Sequence, residues 1–184
     1  MLKRAVLVLL LLLAFSSLAS ADEPPSWVEF EVKSANGKFI AEIKARSGQE
    51  NKDYHEREYE LSVYELAGAG RRKLWSATYR YDGYPGGMLS DDGAAFVYVN
   101  FWYYRDRPAV SIYRAGQSVK AIRGSEFEID PSAIQETVSH KLWLSDEPRR
   151  VEFSSSGARS LILLILTRDK RLHQVDVATG QLLK

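Results

Sequence analysis

A short turn pattern recurs three times along the chain. In each copy a serine stands three residues before a glycine, at Ser34–Gly37, Ser90–Gly93 and Ser154–Gly157. Each copy is followed by a run rich in β-branched and aromatic residues, and then by a glycine-containing hairpin. Small units of this kind cannot bury their apolar faces alone, so they stack on their neighbours. The pattern predicts a mainly β fold of three repeated antiparallel units.

The strands and hairpins of these units can be placed approximately. Long strands are predicted at 38–44, 96–104 and 161–166, and hairpins turn at 67–70, 115–117 and 178–180, where glycine supplies a positive φ. We therefore divide the repeat domain into approximate units 27–80, 86–130 and 149–184. One short helix is predicted near 131–142, because Asp130-Pro131 is a typical helix start and Ile134, Val138 and Leu142 follow at every fourth position.

The first residues have the pattern of an export signal. Lys3 and Arg4 precede eleven apolar residues, Ala5 to Phe15, and Ala19-Ser20-Ala21 is a small-residue cleavage site. A membrane span needs about 20 apolar residues. We predict a cleaved signal peptide at 1–21, a single β-rich domain at 22–184, and no membrane anchor after cleavage.

The amino-acid composition restricts the cellular compartments and the classes of partner that suit this chain. The chain has no cysteine, which excludes disulfides, thiol catalysis and thiolate metal sites. None of its asparagines begins a glycosylation sequon, so we expect a bacterial periplasmic or extracellular protein. Without Lys3 and Arg4 the chain has 23 basic and 24 acidic side chains. A net charge of −1 does not favour binding to nucleic acid.

Two of the motifs are similar to those of known repeat families. Ser90-Asp91-Asp92-Gly93 precedes an apolar strand, and Val175-Asp176-Val177-Ala178-Thr179-Gly180 closes the last unit. Both resemble blade motifs of the WD40-like and quinoprotein-like β-propeller families, over most of 27–184. The resemblance implies propeller-blade-like sheets. The Trp-Asp dipeptide and the regular tryptophan pattern of quinone-binding propellers are missing, so we infer no cofactor.

The number of units does not determine how the units assemble. A blade takes about 40–50 residues and a closed ring needs at least four blades, whereas this chain has room for three. Three arrangements fit: an open stack capped by the helix, two chains completing one ring as a homodimer, or a twisted antiparallel sheet that mimics blades. We expect a single three-unit assembly, an incomplete propeller.

No catalytic or metal-binding residues are assigned from the sequence. The three histidines, His55, His140 and His173, lack the spacing of a zinc site, and neither a nucleophile elbow nor a phosphate-binding loop is present. Enzyme activity therefore has no support from motifs. A carboxylate pair for glycoside cleavage is set by the fold and not by spacing, so the sequence leaves that chemistry open.

Aromatic residues are the strongest candidates for a ligand-binding site. We select Tyr81, Tyr84, Trp102 and Tyr104, because Trp102 and Tyr104 share one face if 96–104 is a continuous strand. Rings with polar tips suit sugars or a protein partner. The alternative is that these rings fill the core.

Three functions follow as hypotheses. The first is a non-catalytic binding or scaffolding domain of the bacterial envelope with a protein or glycan partner. The second is a hydrolase acting on an envelope polymer. The third is a subunit that pairs through an open sheet edge to complete a larger β assembly.

Overall fold

Three four-stranded antiparallel sheets and one two-stranded sheet form the structure. The computed structural model describes residues 24–68, 70–156 and 160–183. The predicted signal peptide at 1–21 and Gly157 lie outside these residues. Within them no helix reaches seven residues, and none is long and apolar enough to cross a membrane. The prediction of a mainly β fold is confirmed.

The strands of each sheet are neighbours in chain order. The first sheet contains β1 (Phe30–Lys33), β2 (Phe39–Ala45), β3 (Tyr59–Ala67) and β4 (Gly70–Tyr79). The middle sheet contains β5 (Met88–Leu89), β6 (Ala95–Val99), β7 (Pro108–Arg114) and β8 (Gln117–Arg123). A small hairpin of β9 (Gln135–Glu136) and β10 (Lys141–Leu142) follows. The third sheet contains β11 (Val151–Ser156), β12 (Ser160–Leu166), β13 (Leu172–Asp176) and β14 (Gln181–Leu183).

Two of the three serine turns have the same hydrogen bonds. The Ser34 amide donates to Phe39 O at 3.0 Å, and the Ser90 amide donates to Ala95 O at 2.9 Å. In both turns the serine hydroxyl also accepts from the amide of that same partner residue. These turns connect the first and second strands of their sheets. Local side-chain to backbone bonds explain why serine recurs there.

The third predicted turn is wrong in position. Ser154 lies inside β11, where it pairs with Ile162, and the pairing continues to Ser156 and Ser160. β11 therefore continues to Ser156, through three of the four residues of the predicted turn. A turn with a similar hydrogen bond lies between β12 and β13, where the Thr167 amide donates to Arg171 O at 3.0 Å.

The predicted helix near 131–142 is replaced by other structure. One turn of 3-10 helix, Pro131–Ala133, begins after Asp130, whose side chain accepts from the Ser132 amide. The chain then forms the β9–β10 hairpin. Val138, on the supposed apolar face, is 86% exposed. Three apolar residues at four-residue spacing do not specify a helix by themselves. A helix of this length also needs a core against which its apolar face packs.

The strand predicted at 96–104 is also shorter than expected. β6 ends at Val99, and the Asn100 side chain accepts the Trp102 amide at 2.9 Å, which turns the chain. Trp102 then forms an isolated bridge with Leu142. Residues 101–104 therefore do not alternate between the two faces of one strand.

Alternating side chains bury both faces of the middle sheet. Phe96, Tyr98 and Tyr113 pack in one apolar cluster with Ala41, Ile43, Leu61 and Val63 of the first sheet. Val97, Val110 and Ile112 pack in the other with Leu163, Ile165 and Val175 of the third sheet. The three sheets are thus stacked face to face in chain order.

The same contact recurs at both sheet junctions. A Cβ added to Gly116, in the β7–β8 turn, would lie 3.1 Å from Ser76 O of β4. A Cβ added to Gly180, after β13, would lie 2.5 Å from the Lys120 side chain of β8. Each last hairpin therefore approaches the outermost strand of the preceding sheet, as expected for repeated units.

Candidate functional site

A cleft of about 370 Å³ opens beside the junction of the first and middle sheets. The segment after β4, the end of β6 and the loop before β7 form its walls. Its lining combines aromatic rings with polar groups: Trp27, Arg80, Asp82, Tyr84, Tyr98, Asn100, Tyr104, Arg107, Ser111 and His140, with Pro25 and Pro108. Its volume lies in the usual range for small-ligand sites.

Asp82 is the centre of the polar network in this cleft. Tyr98 Oη donates to Asp82 Oδ1 at 3.0 Å, and Asn100 Nδ2 donates to Oδ2 at 2.9 Å. Tyr98 lies in β6 and Asn100 directly follows this strand, two positions further on, so both point to the side that faces the first sheet. The turn Asp82-Gly83-Tyr84 is held by a bond of 3.4 Å from the Tyr84 amide to Asp82 Oδ1.

Burial changes the protonation of this network. It raises the pKa of the Asp82 carboxyl, although the hydrogen bond from Tyr98 acts in the opposite direction. Burial, and then the nearby Asp82 carboxylate, also raises the pKa of Tyr98 far above its ordinary value. The phenol is thus held as a donor, and the carboxyl is easier to protonate than an exposed aspartate.

His140 and two aromatic rings form the second part of the site. The His140 ring stacks on Trp102 with centroids 4.3 Å apart, and its Nε2 lies 3.4 Å from Tyr84 Oη. The β9–β10 hairpin positions it, because the His140 amide donates to Thr137 Oγ1 at 3.0 Å. Within the described ranges, buried Trp102 Nε1 has no hydrogen-bond partner.

The rim of the cleft is basic. Arg80 and Arg107 are exposed, and the Arg107 guanidinium lies 5.0 Å from the centre of the Tyr104 ring. Among the residues that the structure describes, no group of three His, Cys, Asp or Glu side chains could hold a metal ion. The chemistry available here is hydrogen bonding, ring stacking and attraction of negative charge.

The four residues predicted from the sequence do not all meet in the cleft. Tyr84 and Tyr104 line it, whereas Trp102 is only 6% exposed and contacts it through His140. Tyr81 lies elsewhere, since its hydroxyl donates to Ser26 O and Val28 O at 2.9 and 3.0 Å. Its ring packs edge-on to Tyr59.

Sequence reasoning missed Asp82, Asn100 and the role of His140. A signal was present for the first two, because Asp82-Gly83 follows an aromatic strand and Asn100 ends an apolar one. Polar residues at strand ends are frequent ligand contacts. His140 had no comparable signal, since a lone histidine on the helix predicted for its segment would be a surface or packing residue.

Comparisons with protein-family models, curated proteins and solved structures found no match for this chain. The cleft and the stacked sheets are therefore the basis for assigning a function.

Proposed function

We propose that this protein is a non-catalytic binding or scaffolding domain of the bacterial envelope, and that its ligand enters the Asp82 cleft. The observation that supports this most is the convergence of Asp82, Asn100 and the rings of Tyr84 and Tyr104 on one concave site. Binding sites characteristically combine apolar walls with a few well-placed polar groups. The export pattern of the first residues supports the compartment.

A glycan is the ligand class that this lining favours. Ring faces can cover the apolar side of a sugar, while carboxylate, amide and hydroxyl groups bond its hydroxyls. Asp82, Asn100 and Ser111 supply those groups, and the exposed Arg80 and Arg107 favour a sugar with a carboxylate or phosphate. The alternative partner is a protein that inserts an aromatic or acidic side chain.

Hydrolysis of an envelope polymer has less support. Glycoside cleavage normally uses two carboxyl groups on opposite sides of the scissile bond. Asp82, with its raised pKa, is suited to the role of general acid. It is, however, the one carboxylate in the described lining of the cleft. Binding without bond cleavage is therefore the function we favour.

The test is a titration with soluble envelope glycans. Chain recovered from the periplasm of an expression host is mixed with peptidoglycan fragments and lipopolysaccharide-derived oligosaccharides, and binding is followed by calorimetry. We expect Tyr104→Ala to weaken binding by about tenfold or more, as loss of a central ring contact does.

Tyr54→Ala is the matched control. The Tyr54 ring is also covered by an arginine, with Arg57 4.2 Å from its centre, but it lies outside the cleft. This variant should bind as tightly as the unchanged chain. Equal loss in both variants, or no binding of any fragment, would contradict the proposal. Shortened oligosaccharides after incubation would favour the hydrolase.

A further inference from the structure

We infer that the open face of the third sheet is a self-association surface, on which a second copy of this chain docks with the same face. This open face carries Leu164 and Leu166 of β12, Leu172 of β13 and Leu183 of β14, with exposed Gln174 among them, whereas Ile162 on the same side of β12 is only 5% exposed. These side chains alternate with Leu163, Ile165 and Val175, which pack on the middle sheet. The inference rests on the fold and not on the proposed function of the cleft.

The repeat shows what such a face normally contacts. In the first sheet Phe39, Ala41 and Ile43 face the next sheet. The same hydrogen-bonded turn places Ala95, Val97 and Val99 of the middle sheet in the corresponding positions, and these face the third sheet. On the third sheet this side is again apolar apart from Gln174, with Leu172 55% and Leu183 42% exposed. It has the composition of a sheet-to-sheet contact without a following sheet in the described chain.

The opposite end of the stack is different in character. The open face of the first sheet carries Glu42, only 3% exposed, which forms ion pairs with Lys44 at 3.2 Å and with Arg71. Lys73 and Glu60 pair at 3.1 Å beside them. A polar outer face is what the terminal unit of a repeat stack needs for solubility. One end of the stack therefore has a polar cap, and the other has leucines.

The chemical character of the two ends determines which pairing of two copies is favourable. Head-to-tail docking would cover the charged first sheet with leucines and would desolvate Arg71 and Lys44. Docking of third sheet on third sheet places leucine against leucine and closes at two copies, as in most homodimers. The polar side chains of the same face are Gln174, which lies among the leucines, and Glu152, Asp176 and Gln181, which lie towards its border as in other interfaces.

The expected area implies a weak dimer. Four strands about 4.8 Å apart and about five residues long cover roughly 300 Å², so two such faces cover roughly 600 Å². That is below the ~1,000 Å² of most specific interfaces and is typical of a weak contact. The association should therefore depend on concentration.

Sedimentation over a range of protein concentrations tests the inference. The unchanged chain, recovered from the periplasm, should pass from monomer to dimer as concentration rises. Leu172→Glu should weaken dimerisation by about tenfold or more, because it buries an unpaired charge at the interface. Val138→Glu adds the same charge at an 86% exposed residue away from this face, and it should dimerise like the unchanged chain.

Three results would overturn the inference. They are a monomer at all soluble concentrations, equal dimerisation of Leu172→Glu and Val138→Glu, and a series of larger oligomers that Arg71→Glu abolishes. Near-ultraviolet circular dichroism confirms that Leu172→Glu is folded, and Leu183→Glu serves as the second variant. Glycan binding by Leu172→Glu should be unchanged, so failure here is distinguishable from failure of the proposed function.

Discussion

At Asp82, burial and hydrogen bonding have opposite effects on the same carboxyl group. Tyr98 and Asn100 donate to it, and these bonds stabilise the charged form. Burial is the larger effect, and it raises the pKa above its ordinary value of 3.8. The proposed binding site thus contains a group whose charge is costly in the folded state. Opposing effects of this kind on a pKa occur in functional clefts and also in structural networks.

The raised pKa predicts a specific pH dependence of stability. Between pH 3.8 and the raised pKa the folded chain binds more protons than the unfolded chain, so its free energy of unfolding falls as pH rises. Asp82→Asn removes this loss, and its stability relative to the unchanged chain should increase from acid to neutral pH. Urea unfolding at several pH values measures the difference.

Asp92→Asn is a control of opposite sign. Hydrogen bonds from Ser90 and from the Ala94 amide outweigh burial and lower the pKa of Asp92. The charged form of Asp92 therefore stabilises the fold above pH 3.8, and that contribution is lost as pH falls. Parallel curves for Asp82→Asn and the unchanged chain would contradict the assignment.

His173 predicts a second pH dependence. Its ring lies edge-on to Phe127 at 5.4 Å, and burial lowers its pKa below 6.5. The unfolded chain then binds the proton more readily, so stability should be lost as pH falls below 6.5 through the folded pKa. His173→Gln should remove this slope in urea unfolding, whereas the same change at exposed His55 should keep it.

At the scale of elements, the serine turns show how local chemistry determines a connection. Gly37 and Gly93 adopt φ values of +69° and +67°, and the preceding Asn36 or Asp92 accepts from the amide that follows the glycine. The two turns also touch, because the Asn36 amide donates to Asp91 Oδ1 at 2.7 Å. Their sequence pattern was readable because every one of the intra-turn bonds is local.

Equivalent glycines in these turns should differ in tolerance. Both Gly37→Ala and Gly93→Ala incur about 1 kcal/mol for a positive φ. The added Cβ meets nothing within 4 Å at Gly37, but at Gly93 it would lie 2.5 Å from Phe39 Cδ1. We expect Gly93→Ala to cost about 1–3 kcal/mol more than Gly37→Ala in urea unfolding, as overpacking does. Equal losses would show that the two turns pack alike.

The segments 131–142 and 96–104 show where element prediction fails. Both segments have a periodic pattern of apolar residues, but tertiary contacts outweigh the local preference that this pattern indicates. Asn100 ends β6 early because its side chain accepts the Trp102 amide and its carbonyl accepts the indole of Trp143 at 2.8 Å. The second bond joins residues 43 positions apart. A window of local residues contains no information about such a partner.

For the whole molecule, the middle sheet is the centre of stability. Both of its faces are buried, whereas the first and third sheets each have one open face. Local opening should therefore be rarest in its central strands.

Hydrogen exchange tests this expectation. Amides of β6 and β7 should exchange most slowly, and those of edge strands β1 and β14 should exchange much faster. Exchange measured by nuclear magnetic resonance, residue by residue, provides the comparison. Slower exchange in the first sheet than in β6 and β7 would contradict a core centred on the middle sheet.

The sequence by itself determined the class of fold, the antiparallel hairpins and the absence of any disulfide. Strand propensity, glycine turns and the alternation of apolar residues are local properties, so they can be read in order along the chain. The tertiary structure alone decided that Tyr81 packs near Tyr59 while Tyr84 lines a cleft. It alone brought Asp82 to Asn100 and His140 to Trp102. Those contacts depend on how whole sheets stack, and stacking is set by side chains distant in sequence that share one buried face.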